Sequence, residues 1–242
     1  FFPGTAGAEV AGSLALESGD LRQLSAWIWP EAKPSIERLW TGSRGQFKMQ
    51  TDLNITPSRL RFSKTEYELD GERGTAELTL TSGGRTAVDL RLDAGRLDFD
   101  GLSGGSLSAL AGAGTFDLAG MIGRLVPRGD AADVKLALKA RELRLNGVTA
   151  SDVALDLASG VTGLDLRTLE IGSVGGARLK ATGLILGGNA GPDGSIGVEI
   201  QAEDPRELLR LAGLIKGESD PAWAAELGRT ALKGTVAVRP KD

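Results

Sequence analysis

Residues 76–93, Ala76-Glu77-Leu78-Thr79-Leu80-Thr81-Ser82-Gly83-Gly84-Arg85-Thr86-Ala87-Val88-Asp89-Leu90-Arg91-Leu92-Asp93, hold two runs of alternating apolar and polar side chains about a glycine pair. In an extended chain successive side chains point to opposite faces, so Ala76, Leu78 and Leu80 share one face, as do Val88, Leu90 and Leu92. Ser82-Gly83-Gly84 supplies turn chemistry, and the stretch reads as a β-hairpin with one apolar and one wet face.

The habit extends in both directions. Upstream, Phe47, Met49, Leu53 and Ile55 alternate with Lys48, Gln50, Asp52 and Asn54. Downstream come Val134-Leu136-Leu138, Leu143-Leu145, Val153-Leu155-Leu157, Leu164-Leu166, Leu169-Ile171, Leu179-Ala181 and Val198-Ile200-Ala202. Glycine or asparagine falls between most of them, at Asn146-Gly147, Gly160, Gly163, Gly172 and Gly187-Gly188. Strands spaced about ten residues apart without intervening helices predict an antiparallel meander, not a βαβ sheet. The alternation fits an open trough and a two-sheet sandwich equally. The apolar set is Leu, Val, Ile and Ala with few rings, which favours the trough.

Helical spacing interrupts this pattern in three places. Asp204-Pro205-Arg206-Glu207 offers a capping carboxylate, a proline at the first helical position and a glutamate behind it, with Leu208, Leu211, Ala212 and Ile215 on one face. Asp20-Leu21-Arg22-Gln23, followed by Leu24, Trp27 and Ile28, repeats that logic. Residues 106–126 carry Leu107, Leu110, Phe116, Leu118, Met121, Ile122 and Leu125 at helical spacing but are broken by Gly112, Gly114 and Gly120. Less than about a quarter of the chain is expected to be helical, below the usual third.

An offset of 184, from Asp20 to Asp204, lays Val198 on Leu14, Ile200 on Leu16, Arg206 on Arg22 and Leu208 on Leu24. A strand leading into a capped helix thus occurs twice. The organisation expected is a tail of one β unit at 1–41 with a capped helix at 20–29, a sheet unit at 42–128 ending in a broken helical connector at 105–126, and a second sheet unit at 129–242 with a capped helix at 204–215.

Composition narrows the chemistry. The chain has 242 residues, enough for a sizeable core, but no Cys and no His. Thiolate nucleophiles, disulfides, Cys/His zinc sites and histidine acid–base schemes are therefore absent from it. A formal charge of -4, with no long basic run, argues against a nucleic-acid partner. No stretch reaches the ~20 apolar residues of a membrane helix. The start, Phe1-Phe2-Pro3-Gly4, has neither Met nor a signal-peptide n-region, so a segment of a longer chain is expected.

Three motifs have bland and sharp readings. Gly101-Leu102-Ser103-Gly104-Gly105 fits the nucleophile-elbow pattern, but the triad has no His and the chain has no S-x-x-K, which leaves turn chemistry. Glu66, Glu68, Asp70 and Glu72, like Asp98 and Asp100, alternate along extended runs, either as a wet strand face or as paired carboxylates for calcium or glycoside chemistry; the wet face is the simpler reading. Trp27, Trp29 and Trp40 form either a hydrophobic plug at a sheet end or an interfacial cluster facing lipid.

The phrase Asp89-Leu90-Arg91-Leu92-Asp93-Ala94-Gly95-Arg96-Leu97-Asp98-Phe99-Asp100-Gly101-Leu102, closing the run from Phe47, resembles the AsmA-like family of bacterial envelope proteins. Ser151 to Leu157, Gly175 to Leu179, Ala181-Thr182-Gly183 and the Asp204 to Leu211 helix continue the resemblance. It implies a periplasmic body of repeated antiparallel sheet curved into a U-shaped groove with short capping helices, tethered to the inner membrane by a helix outside this segment. It also implies a non-enzymatic role related to TamB-type lipid transfer, carrying phospholipid between inner and outer membranes and maintaining the outer membrane. The implied partners are phospholipid or another acyl lipid, the inner membrane and neighbouring repeats of the same full-length chain. No catalytic residue, metal or cofactor comes with it. The candidate groove lining is Phe47, Met49, Leu53, Leu78, Leu80, Val88, Leu90, Leu92, Val153, Leu155, Leu157, Leu164, Leu166, Val198 and Ile200. The alternative is a structural or adhesin-like β domain with a closed core and no small-molecule ligand.

Overall fold

Alternation and turn chemistry act together in a computed structural model that describes residues 8–20, 45–98, 132–145, 147–187, 191–211 and 228–239. Its strands are β1 (Val10–Ser18), β2 (Phe47–Thr56), β3 (Arg59–Leu69), β4 (Glu72–Thr81), β5 (Ala87–Asp98), β6 (Asp133–Leu145), β7 (Val148–Gly160), β8 (Gly163–Val174), β9 (Ala177–Leu186), β10 (Asp193–Ala202) and β11 (Thr230–Val238). They form one eleven-stranded sheet, each strand beside its sequence neighbour, and the sheet is not closed. Strand makes up 77% of the described residues, so the meander expectation holds. The described strands form one sheet rather than the two of a sandwich.

Short connections pull neighbouring strands together. Asp70 and Gly71 both have positive φ, as a two-residue hairpin turn matching strand twist requires, and they join β3 to β4. Asp70 and Glu72 therefore do not continue the alternation of Glu66 and Glu68: Asp70 is in the turn and Glu72 lies on the next strand, opposite Leu69. The 76–93 hairpin forms as expected, with Leu78 paired to Leu90 and Leu80 to Val88.

One junction departs from the antiparallel expectation. β5 and β6 run parallel, Leu90 beside Leu136 and Leu92 beside Leu138. A parallel pair needs a connection that returns the full strand length, and residues 99–132 supply it. The long connections 19–46, 99–132 and 203–229 leave β1, β5 and β10 at the same rim.

Strands read as separate runs are continuous but bulged. Leu164-Leu166 and Leu169-Ile171 belong to β8, whose register shifts against β9 between Leu166 and Leu169. Gly172 is not a turn residue but sits inside β8, where a Cβ would come within 2.8 Å of the Cβ of Asp152. Asp152 has φ 51 inside β7, and only a residue without a side chain fits beside it.

The capped helix near the C-terminal end is α1 (Arg206–Leu211). The backbone N–H of Arg206 donates to Asp204 Oδ1 at 3.1 Å, the cap that the sequence predicted. Residues 212–215 of that helix, the 20–29 helix, the 105–126 connector, Ser103, Asp100 and the three tryptophans lie outside the described residues, as do the unit boundaries at 41/42 and 128/129.

Candidate functional site

Directly paired residues share a sheet face, so the register traces that face from edge to edge. Leu16 pairs with Met49, Met49 with Tyr67, Leu53 with Phe62 and Phe62 with Leu78. Leu78 meets Leu90, Leu90 meets Leu136 and Leu136 meets Leu157. The row continues through Leu166, Gly183, Ile196 and Val236. All fifteen candidate lining residues fall on this apolar face, whatever strand they come from.

Burial divides the face. Across β7–β10, Val153, Leu157, Leu164, Leu166, Ile185, Ile196 and Val198 are buried, with Ile185 and Ile196 at 1% exposure. Across β2–β5, Phe47, Met49, Leu53, Leu78, Leu80, Val88, Leu90 and Leu92 are only half-buried. A second buried cluster, Ala94, Leu97, Leu138, Ala140, Ala150 and Val153, spans β5–β7, and Leu155 and Ile171 pack against both clusters.

Small residues contribute to the tight packing of β9 and β10. Ile196 pairs with Gly183, Val198 with Ala181 and Ile185 with Gly194, so each large side chain has space above its neighbour. A Cβ on Gly183 would lie 2.3 Å from Ser195 O, and one on Gly194 2.1 Å from Leu184 O. In β2–β5 large residues face large ones, as Leu53 faces Phe62 and Leu78 faces Leu90, and both stand partly in the open.

The open region also carries hydroxyls. Thr51 and Thr65, 2% and 4% exposed, join their Oγ1 atoms at 2.7 Å. Tyr67 lies over Gly74, and its hydroxyl is buried without a hydrogen-bond partner among the described residues. Burial, with Asp93 adding to it, raises the Tyr67 pKa above the usual phenol value. These groups make a narrow polar stripe across the apolar face.

The opposite face is mainly polar, with charged side chains paired across strands and with Leu184 and Leu186 of β9 exposed on it. Lys48 meets Glu17 at 3.0 Å, Arg96 meets Glu142 at 2.9 Å and Lys180 meets Glu170 at 2.9 Å, linking neighbouring strands. Exposed pairs of this kind contribute little each and mainly keep this face in water. A depression of about 570 Å³ crosses this face from β3 to β8, lined by Lys64, Glu66, Glu77, Arg91, Asp93, Lys139 and Asp156 among others. Its mixed charges give no dominant field for an anion or a cation, and among the described residues no three acidic side chains form a metal-sized group.

Several apolar-face residues escaped sequence reading, above all Leu60, Phe62 and Tyr67 of β3 and Ile185 and Ile196 in the buried cluster. In β3 the face switches from even to odd positions at Lys64, whose φ of 50 marks a bulge. Strict period two fails there, although Pro57-Ser58 and Asp70-Gly71 bracket the strand with turn residues. No family model, no curated protein and no solved structure matches the chain.

Proposed function

We propose that the chain is a non-enzymatic lipid-handling segment whose apolar face over β2–β5 holds acyl chains. The observation behind this is the apolar surface of an unclosed sheet that no described element covers: half-buried leucines and rings in adjoining rows, backed by a face of polar and charged side chains. An acyl chain laid across Leu53, Phe62, Leu78 and Leu90 removes apolar area from water at roughly 25 cal/mol per Å². It needs no titratable group. On the resemblance of its sequence phrases to AsmA-like proteins, we place this activity in a Gram-negative envelope, as part of a periplasmic body tethered to the inner membrane.

A second reading has its own observation. The 1% exposure of Ile185 and Ile196 is that of a finished core, and this favours a structural β domain for β7–β10. The two readings assign different roles to different strands. Native mass spectrometry of residues 1–242 purified from a Gram-negative periplasm separates them, since lipid handling predicts phospholipid adducts that diminish in Leu90→Lys. A purely structural domain predicts bare protein in both samples.

A further inference from the structure

The same supersecondary unit stands at both edges of the sheet. β1 leads into residues 19–46 and returns as β2, and β10 leads into 203–229 and returns as β11, each time as an antiparallel neighbour. The apolar-face pairs correspond: Leu16 with Met49 matches Ile200 with Leu232, and Gly12 with Leu53 matches Ile196 with Val236. The 184-residue offset seen in the sequence is thus a structural repeat, with one residue fewer in the second long connection.

The two copies differ in what lies beyond them. The far edge of β2 is covered by β3, which sets Tyr67 beside Met49 and Phe62 beside Leu53. The far edge of β11 carries no strand among the described residues. Leu232 and Val236 are accordingly 57% and 40% exposed, where Met49 and Leu53 are half-buried.

We propose that the outer edge of β11 docks one extended polypeptide strand, antiparallel, that sets one large apolar side chain beside Leu232 and another beside Val236, as β3 sets Tyr67 beside Met49 and Phe62 beside Leu53. Added strands gain affinity from main-chain hydrogen bonds and specificity from alternate side chains. Natural sheets blunt edges that should stay free with proline, bulges, charged side chains, lysine above all, or a covering loop. β11 has no proline and an unbroken register with β10, and its one charge, Lys233, is engaged by Glu199 on the polar face. This inference is independent of the lipid reading, because it concerns the edge and not the face.

The β3 sequence itself is the probe: a peptide of Arg59–Leu69, added to the 242-residue chain, with amide hydrogen exchange read by mass spectrometry. The expected result is saturable binding, with exchange across Thr230–Val238 slowed at least about tenfold. A peptide of the same composition in scrambled order should give no protection. The double variant Leu232→Lys, Val236→Lys alters exposed side chains, so it should keep the circular dichroism of the parent and bind the peptide at least about tenfold more weakly. Absence of protection at Thr230–Val238 in folded protein would overturn the proposal, as would protection confined to β2–β5. Protection that rises with protein concentration and is indifferent to the peptide would overturn it in favour of pairing between two copies of the chain.

Discussion

β2–β5 and β7–β10 present the same apolar face, built from similar side chains, yet β2–β5 leaves its large apolar residues half open, apart from Leu97 at the end of β5, while β7–β10 buries most of the centre of its face. Their cross-strand partners differ. Where Gly183, Gly194 and Ala181 lie opposite Ile196, Ile185 and Val198, the large side chains settle against the sheet and cover one another. Where Leu53 meets Phe62 and Leu80 meets Leu60, neither partner yields, and both remain accessible. Tyr67 over Gly74 is the exception within the open region and follows the same rule: the ring occupies the space that glycine leaves. Pairing of large with small therefore contributes to burial on a sheet face but is not its only cause, since Leu157 beside Leu166 and Leu164 beside Ile185 are buried as pairs of large side chains.

A charge placed in each region should give the largest contrast. Ile196→Asp buries an unpaired carboxylate and is expected to cost several kcal/mol, enough to unfold a domain stable by ~5–15 kcal/mol. Leu90→Lys can lay its stem on the face with the ammonium in water, at a cost of no more than about 1–2 kcal/mol. Chemical denaturation of both variants checks this, and equal losses would erase the distinction.

Glycine substitutions make the same comparison at smaller scale. Gly183→Ala forces a methyl against Ser195 O and Ile196 and should destabilise by roughly 1–3 kcal/mol. Gly12→Ala meets nothing within 4 Å and should be neutral or stabilising, by up to about 1 kcal/mol, because it restricts the unfolded chain. Thermal melts of the pair are sufficient.

The hydroxyl stripe sharpens the account of the open region. Thr51→Val strands the Thr65 hydroxyl and should cost about 1–3 kcal/mol, whereas adding Thr65→Val should recover much of that loss. A double-mutant cycle reads the coupling directly.

The smallest effect belongs to the α1 cap. Hydrogen bonds from Arg206, through its side chain first and then its backbone, lower the Asp204 pKa from 3.8 to about 2. Because the folded value is depressed, the cap's contribution is complete above the unfolded value of 3.8 and is lost as pH falls towards about 2. The chemical shift of the Arg206 amide should follow that titration, and a midpoint near the ordinary carboxylate value would remove the cap.

Much of this architecture was legible because period two and turn residues are local signals. Leu78, Leu90, Val153 and Leu155 declare their face within a few residues. Bulges were not legible: Lys64 and the Arg167-Thr168 step each shift a register and reverse the parity of a strand, and nothing in a run of hydrophilic residues announces them. The parallel β5–β6 junction was hidden for a different reason, since strand direction depends on the path of a long connection rather than on the strands. Nor does alternation tell a buried leucine from a half-open one. That difference arises in part from Gly183 and Gly194, which belong to other strands than the isoleucines they accommodate.

The most direct test of the division is where an acyl chain binds. Palmitic acid carrying a terminal diazirine, photolysed with the 242-residue chain and mapped by peptide mass spectrometry, should label the β2–β5 face at residues such as Phe62, Leu78 and Leu90. Unlabelled palmitate should compete, and β8–β10 should stay unmodified. Saturable labelling centred on Ile185 and Ile196, or labelling that palmitate does not compete away, would contradict the account.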